Sequence, residues 1–469
     1  MVATAADDTR RREGAQRNQA VTLCWDRFAA TFVRPHSPLC WLRVLVIGVL
    51  SVMGCAPEQR ETIPHIVFKH PKLLSREEPL RALLDQFKQQ HPSFTVREEV
   101  LPSSSDQQHL FYVTNLEAEA DDFDVFALDI IWIPEFRRAG WLHNLSPYLR
   151  TEKLEDFFSA AAQVALYRGQ VYALPWFADA GALYYRQDLL EKYDLPPPRT
   201  FTELIREAQL IVQRERNPRL SGFVWQGKQY EGLICVALEF IRGYGGGILD
   251  TQGHSLLTHP STIAGLQALR DVIAKYHISP SFVTTADEEM ARHVFSRGEA
   301  VFMRNWPYAW SLLNAEESLM RGRVGVTAMP GDSRHDTAAT LGGWFLGVNR
   351  FSKHPQLAWQ LIAFLTSEEA QRKLAVAGGL KPTRMSTYSD THALKEDPSL
   401  ELFFPLLQAA RPRPITPFYL MLSQVLQGEF SAAVTGIKPA AVALRDAERQ
   451  VQQILSLDTP EAAHARADQ

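Results

Sequence analysis

Three types of side chain occur in this sequence where predicted strands end or loops begin, and together they could bind a polyhydroxylated ligand. They are isolated acids, tryptophans beside glycine or proline, and an arginine between prolines: Asp129, Asp179, Glu231, Trp176, Trp306, Trp344 and Arg413. A carboxylate in an apolar strand costs about 1–3 kcal/mol when unpaired, but it accepts strong hydrogen bonds from hydroxyls. An indole ring packs on the apolar face of a sugar ring, and glycine lets backbone approach a ligand. These residues therefore predict a sugar-binding site.

The acids also have structural interpretations. Asp129 could cap the helix that begins near Pro134, and Glu231 could pair with Lys228. Asp179 stands in an apolar, aromatic run with no capping role in view, so the sequence favours a ligand-binding role for it most strongly. Buried carboxylates need a partner in either interpretation.

The tryptophans and Arg413 have structural interpretations as well. Each tryptophan could belong to the hydrophobic core, and Arg413 could brace the proline segment around it. Glu78, a further candidate, belongs to a predicted capping box that begins at Ser75 and opens a helix. That box explains Glu78 without a ligand.

The first elements predicted to position these residues form a βαβ unit. The sequence predicts a strand from Ile66 to Phe68, a helix that ends at His91, a strand from Phe94 to Leu101 and a strand from Asp124 to Ile131. This order is typical of a parallel sheet in an α/β fold. Ligands of such sheets bind beyond the carboxyl ends of the strands, which is where Asp129 lies.

Later strands are predicted at the other candidate residues. They run from Val171 to Arg186, with breaks at Pro175 and Gly181, from Ala300 to Trp310, and from Ala339 to Val348. With 469 residues the chain exceeds what one hydrophobic core usually organises. We therefore expect two lobes.

The composition excludes several classes of function. Hydrophobic residues make up 46% and charged residues 22%, which is an ordinary globular balance. The net charge of −4 gives no basic field for nucleic acid. The sequence contains no HExxH, CxxC or GxxxxGK[ST] motif, so we expect no metal and no cofactor.

Residues 1–54 have the pattern of an export leader. Two arginines precede an apolar segment, Leu45 to Cys55, that is too short to span a membrane stably. Its last four residues, Val52 to Cys55, resemble a bacterial lipobox, in which a peptidase cuts before the cysteine and the thiol then carries a lipid. We therefore expect an exported lipoprotein, anchored through Cys55 and facing the periplasm or the cell exterior. The alternative is an ordinary secretory signal with an incidental cysteine.

The segments beside the leader are also assigned from composition. The polar start of the leader is unusually long, which indicates that the start codon could lie at Val33 or Val44. Residues 55–61 are predicted to form a tether and residues 458–469 a flexible tail. Removal of the leader would leave Cys235 as a lone free thiol, so we expect no disulfide.

Six segments together resemble the extracellular solute-binding proteins of bacterial ABC sugar importers, and within them the trehalose/maltose-binding branch. The resemblance covers Ile63 to Leu457. The segments run from Phe126 to Leu142, Pro175 to Tyr193, Gly222 to Leu233, Phe302 to Trp310, Thr340 to Val348 and Arg413 to Tyr419.

The resemblance implies an α/β, two-lobed periplasmic-binding-protein fold of type II, with hinge strands and a ligand cleft between the lobes. The N-terminal lobe would comprise residues 62–178 plus 343–386, and the C-terminal lobe residues 179–342 plus 387–457. The implied function is that of a monomer, not an enzyme, that captures a disaccharide such as trehalose or maltose by lobe closure. It would deliver this sugar to the membrane subunits of an ABC permease.

The resemblance also assigns roles to individual residues. Hydrogen bonds to sugar hydroxyls are implied for Asp129, Asp179, Glu231 and Arg413. Trp306 and Trp344 would stack on the sugar rings, Gly343 would offer its backbone amide, and Glu78 would reach the ligand from the first loop.

Other functions stay open from the sequence. Sucrose and glucosylglycerol present hydroxyls similar to those of trehalose and maltose. A polyamine or peptide site would also use acids and aromatics, although Arg413 argues against a cationic ligand. A glycosidase could use Asp129 and Asp179 as its pair of carboxyl groups.

Overall fold

The computed structural model describes residues 64–149, 153–331 and 337–458, all within one structural unit. The predicted leader at 1–54, the lipidation of Cys55, the tether at 55–61 and the predicted tail beyond residue 458 lie outside these ranges. None of the helices in the described ranges combines the length and apolar character needed to span a bilayer.

The described strands are numbered in chain order. They are β1 (His65–Pro71), β2 (Thr95–Leu101), β3 (Val125–Asp129), β4 (Leu166–Tyr167), β5 (Gln170–Val171), β6 (Ala173–Ala180), β7 (Ala182–Arg186), β8 (Ser221–Val224), β9 (Ala300–Asn305), β10 (Val324–Ala328), β11 (Leu341–Val348) and β12 (Lys381–Pro382).

The described α-helices are numbered in the same way. They are α1 (Glu78–Gln90), α2 (Ser105–Glu117), α3 (Ile133–Arg138), α4 (Ser159–Ala165), α5 (Gln187–Lys192), α6 (Phe201–Glu215), α7 (Glu231–Gly243), α8 (Pro260–Ala274), α9 (Glu288–Ser296), α10 (Tyr308–Leu313), α11 (Pro355–Leu365), α12 (Glu368–Gly378), α13 (Thr391–Glu396), α14 (Ser399–Ala409), α15 (Tyr419–Thr435) and α16 (Ala440–Leu455). Short 3-10 helices lie at Ser146–Tyr148, Leu154–Asp156, Ser281–Thr285, Met385–Tyr388 and Ser456–Asp458.

Helix α1 begins later than its predicted capping box. Its N-cap is Glu77, which makes no side-chain capping bond, so Ser75 does not cap the helix. Pro79 explains the difference, because proline fits the first turn of a helix but not its interior. The helix buries one apolar face, since Leu80 and Phe87 are among its buried residues.

Six strands form a mixed sheet in the order β12-β6-β11-β3-β1-β2. Strand β1 is parallel to both β2 and β3, which confirms the predicted βαβ unit. Strand β11 lies between β3 and β6 and is antiparallel to both. A strand from much later in the chain therefore occupies the middle of the sheet.

Four strands form a second sheet in the order β10-β7-β9-β8. The chain leaves the first sheet at Gly181, between β6 and β7, and re-enters it at Thr340, just before β11. The two crossings touch, because the Gly181 N–H donates to the Thr340 carbonyl at 3.0 Å. The architecture is thus α/β with two sheets, while the lobe boundaries given above stay a prediction.

Candidate functional site

A cavity of about 520 Å³ is lined by residues from the six-stranded sheet, from the segment that follows β9 and from the start of α7. Seven of the predicted site residues line it: Asp129, Asp179, Glu231, Trp306, Gly343, Trp344 and Arg413. Residues that are far apart in the sequence therefore converge on one cavity. The volume is within the usual range for small-molecule sites, roughly 300–1,000 Å³.

The register of the six-stranded sheet brings part of this set together. Asp129 is the last residue of β3 and lies opposite Trp344 on β11. Nearer the start of β11, Gly342 lies opposite Asp179 on β6. Because paired strands fix their neighbours' positions, the two acids and Trp344 line one end of the sheet.

Arg413 joins two of the acids. Its Nη1 donates to Glu231 Oε1 at 2.8 Å, and its Nη2 donates to Asp129 Oδ1 at 3.1 Å. The Arg413 side chain is only 3% exposed. A charge so deeply buried requires charged partners, and the two carboxylates supply them.

Glu231 has further donors in addition to Arg413. The Tyr419 hydroxyl donates to its Oε1 at 2.6 Å, and the Ser423 hydroxyl donates to its Oε2. Both donors lie on α15, which packs against α7. Glu231 is therefore fixed between two helices at the first residue of α7.

Burial and pairing act in opposite directions on this network. Burial raises the pKa of Glu231, and the Arg413 guanidinium only partly offsets that effect. Burial alone would lower the pKa of Arg413, but the charges of Asp129 and Glu231 outweigh it and raise that pKa well above its usual range. Arg413 therefore stays protonated.

Asp179 differs from the other acids of the cavity. It is half-buried, and no donor among the described residues forms a hydrogen bond with its carboxylate. Burial first, and then the charge of Asp129, raise the pKa of Asp179 to about 7, although Arg304 acts in the opposite direction. Its oxygens are available to accept hydrogen bonds from a ligand.

The Trp306 indole is held by its polar edge and by one face. Its Nε1 donates to Glu288 Oε1 at 3.2 Å, and the Tyr230 hydroxyl donates to the other Glu288 oxygen at 2.6 Å. The Arg304 guanidinium lies over the ring, 3.8 Å from its centroid. The remaining surface of Trp306 is partly exposed in the cavity wall.

Trp344 and the glycine before it form another part of the wall. The Trp344 ring meets Trp132 edge-on, with 5.6 Å between the ring centroids. Gly343 has a φ of 134°, and a Cβ atom at this position would lie 2.9 Å from the Phe177 carbonyl oxygen. Both the backbone angle and the contact require glycine here.

Glu78 and Trp176 are not brought to the cavity. Glu78 is the exposed first residue of α1, and the preceding loop, Pro71 to Ser75, lines the cavity instead. Trp176 is fully buried and packs edge-on against Phe68, with 5.8 Å between ring centroids. Alternate residues of a strand share a face, so Phe177 and Asp179 line the cavity while Trp176 points into the core.

Several residues that line the cavity were not predicted from the sequence. Ser105 Oγ donates to Asp129 Oδ2 at 2.9 Å, and the Glu231 N–H donates to Asp106 Oδ2 at 3.3 Å. The signal for these two was the polar run that follows β2 at the same sheet end as Asp129. Glu288 had no distinctive signal, because acids in the first turn of a helix are common.

The cavity offers hydrogen-bonding and stacking groups for a neutral polar ligand. The described ranges contain no group of three or more His, Cys, Asp or Glu side chains that could hold a metal ion. Carboxylates and partly exposed indoles in one wall suit a molecule with hydroxyls and apolar ring faces.

Comparison with known proteins gives consistent matches. The family model described as "Bacterial extracellular solute-binding protein" matches residues 73–372. The "Probable ABC transporter-binding protein" of Deinococcus radiodurans is 39% identical over 347 residues, which cover 73% of this chain and 81% of that protein.

Solved structures match over most of the chain. The structure described as "Maltose bound T. maritima MalE3" is 40% identical, with a TM-score of 0.79, and the match covers 83% of this chain and 99% of MalE3. A solute-binding protein from Thermotoga lettingae, bound with α-D-tagatose, is 24% identical with a TM-score of 0.75, and the match covers 84% of this chain and 100% of that chain. These matches confirm the predicted two-lobed periplasmic-binding-protein fold.

Proposed function

Since the chain belongs to the family of bacterial extracellular solute-binding proteins, we propose that it captures a disaccharide, trehalose or a maltose-like sugar, for an ABC importer. Its relatives are solute-binding proteins of ABC transporters and not enzymes. The MalE3 structure, 40% identical, holds maltose, which supports a sugar of this size. Sucrose and glucosylglycerol are the neighbouring alternatives.

The observation that carries the proposal is the convergence of carboxylates, one arginine and two indoles on one cavity. Asp179 offers carboxylate oxygens that no described donor occupies. Arg413 lines the same cavity and holds Asp129 and Glu231 in place. Trp306 and Trp344 present partly exposed ring surfaces. A sugar would match the carboxylate with hydroxyl donors and the indoles with apolar ring faces.

Binding would follow from closure of the two lobes on the sugar. Removal of water strengthens each polar contact because the local dielectric constant falls. A micromolar dissociation constant corresponds to about −8.2 kcal/mol. A few charge-assisted hydrogen bonds, each contributing about 1.5–3 kcal/mol, and two stacked indoles are enough to reach that value after ordering costs.

The proposal includes delivery of the sugar to a permease and a location at the membrane surface. The sugar-loaded protein would dock on the membrane subunits of a permease and release its ligand there. A lipid on Cys55 would hold the protein at the membrane surface, outside the cytoplasm, as a monomer. The extracellular character of the family supports export.

Thermal unfolding with a panel of ligands tests the choice of solute. The panel is trehalose, maltose, sucrose, glucosylglycerol and, as a cationic alternative, spermidine. A ligand at a hundredfold excess over its Kd stabilises the folded protein by about 2.7 kcal/mol. We expect trehalose or maltose to raise Tm in the wild type, and Asp179→Ala to abolish most of the shift.

Three results would contradict the proposal. One is the absence of a shift with any of the sugars. Another is a shift with spermidine alone, which would indicate a cationic ligand. The third is steady release of glucose from trehalose, which would make Asp129 and Asp179 the carboxyl pair of a glycosidase.

A further inference from the structure

Two fully buried residues, Arg304 on β9 and Glu239 on α7, form an ion pair behind the cavity wall. Arg304 Nε donates to Glu239 Oε2 at 2.9 Å, and its Nη2 donates to Oε1 at 2.7 Å. Both side chains are 0% exposed, and neither is among the described residues that line the cavity. A two-point pair of this kind fixes the guanidinium plane as well as its position.

The guanidinium side of this pair supports the Trp306 ring. Arg304 lies over the face of that ring, 3.8 Å from the ring centroid. Its Nη1 also donates to Gln226 Oε1 at 3.3 Å, and the Gln226 side chain donates back to the Arg304 carbonyl at 2.9 Å. These bonds, together with the pair to Glu239, fix the position of the guanidinium against the Trp306 ring.

The carboxylate side of the pair contacts both crossings between the sheets. Glu239 Oε1 accepts the Thr340 N–H at 3.1 Å. At the other crossing, a methyl group on Gly181 would overlap Glu239 Oε1 and would lie 2.7 Å from Arg304 Nη2. The chain packs against the ion pair at the two places where it passes from one sheet to the other.

We propose that Arg304 and Glu239 are positioning residues that connect the inter-sheet crossings at Gly181 and Thr340 to the Trp306 ring. This inference rests on the proposed sugar-binding function. When one sheet rotates relative to the other at these crossings, Glu239 and Arg304 move with the backbone that they contact. The position of the Trp306 ring in the cavity then changes. Trp306 thus reaches its stacking position only at one inter-sheet angle, which couples lobe closure to ligand contact.

A double-mutant cycle on sugar affinity tests the connection. Arg304→Lys keeps the charge but loses the two-point pair and the planar face, and should weaken binding roughly tenfold. The same change in a Trp306→Ala background should cost almost nothing further, because the ring that Arg304 positions is absent. An equal loss in both backgrounds would overturn the proposal, since it would mean that Arg304 acts only through general stability.

The matched control is Arg186, on the neighbouring strand β7. Its guanidinium also makes a two-point pair, with Asp188 at 2.7 and 2.6 Å, but it is not among the described residues of the cavity wall. Arg186→Lys should leave sugar affinity unchanged in both backgrounds. A tenfold loss from Arg186→Lys would show that any arginine pair in this sheet has the same effect, and would overturn the specific role of Arg304.

A measurement without ligand separates this inference from the proposed function. In protein labelled with 5-fluorotryptophan, the Trp306 resonance is assigned by its loss in Trp306→Phe. It should shift or broaden in Arg304→Lys, in Glu239→Gln and in Gly181→Ala, which disturbs the pair from the crossing itself. It should not change in Arg186→Lys.

The fluorine spectra and the sugar-binding measurements can fail independently. An unchanged Trp306 resonance in the folded variants overturns the connection even if the wild type binds sugar. If the wild type binds no sugar of the panel, the proposed function fails, while the fluorine spectra still decide whether the crossings position Trp306. Should Arg304→Lys fail to fold, Glu239→Gln and Gly181→Ala carry the same test.

Discussion

At the scale of single residues, Asp179 should make sugar binding depend on pH. Its pKa is raised to about 7, first by burial and then by the charge of Asp129. The ionised carboxylate is the stronger acceptor for a hydroxyl, so affinity should fall as pH drops from about 8 to about 6. Calorimetric titrations across this range measure the effect, and Asp179→Asn should bind weakly with no such dependence in the range.

The same pKa fixes the sign of a stability effect. Because folding raises the pKa of Asp179, the folded protein binds more protons than the unfolded chain between the ordinary range and about 7. The contribution of Asp179 to the unfolding free energy therefore decreases as pH rises through that window. In urea titrations, Asp179→Asn should be more stable than the wild type at about pH 8 and lose this advantage by about pH 4. A constant difference would contradict the assignment, and Asp85→Asn at an exposed position is the control.

Gly343 offers a second test at this scale. Gly343→Ala places a methyl group 2.9 Å from the Phe177 carbonyl at a φ of 134°, and should cost about 1–3 kcal/mol of unfolding free energy. Gly428→Ala, in α15 with no atom within 4 Å of the added Cβ, should instead stabilise by about 0.5–1 kcal/mol. Equal effects of the two substitutions in urea titrations would refute this interpretation of Gly343.

At the scale of elements, two similar sequence patterns behave differently. Thr200 caps α6 with a complete capping box, in which Glu203 N–H donates to Thr200 Oγ1 at 3.2 Å. Ser75, with the same spacing to Glu78, does not cap α1. Thr200→Ala should therefore cost about 1 kcal/mol, whereas Ser75→Ala should change the unfolding free energy much less. A comparable loss at Ser75 in urea titrations would mean that the two patterns act alike.

Periodicity and turn chemistry predicted most of the elements, but not their partners. The βαβ unit, the apolar face of α1 and the break at Gly181 follow from local pattern, which depends on neighbours in sequence. The insertion of β11 between β3 and β6 has no local signature, because strand pairing is a long-range choice. Trp176 shows the same limit. As a tryptophan near a strand end it suggested a ligand contact, but side chains alternate along β6 and its side chain points into the core.

Some residues of the site could be predicted from the sequence and others could not. Acids and tryptophans that broke an apolar pattern, such as Asp179 and Trp344, were recognisable because burial of a polar group requires a reason. Ser105 and Glu288 sit at helix starts, where polar residues are expected anyway. Their contribution to the cavity depends on how the helices are placed, which the sequence pattern does not specify.

At the scale of the whole molecule, Arg413 joins the six-stranded sheet to α7 by pairing with Asp129 and Glu231. Arg413→Met would leave two buried carboxylates without their cation, and should cost about 3–5 kcal/mol. Part of the loss should be recovered at lower pH, because burial raises the pKa of Glu231 and its protonation removes an unpaired charge. Urea titrations at neutral and acidic pH measure both effects.

Lys438 provides the control for Arg413. It also lies between two acids, with Nζ 2.7 Å from a Glu429 oxygen and 2.8 Å from an Asp446 oxygen, but its side chain is 32% exposed. Lys438→Met should therefore cost much less than Arg413→Met. If both substitutions cost the same, burial is not what makes the Arg413 network important.

The position of β11 has a consequence for how the chain matures. Until residues 341–348 have been synthesised, β3 and β6 each lack the neighbour that lies between them in the finished sheet, and unpaired strand edges invite aggregation. The N-terminal portion thus cannot reach its final form while the ribosome is still adding the middle of the polypeptide. Such a delay would keep the chain unfolded, as it must be to pass through a secretion channel that admits only extended polypeptide.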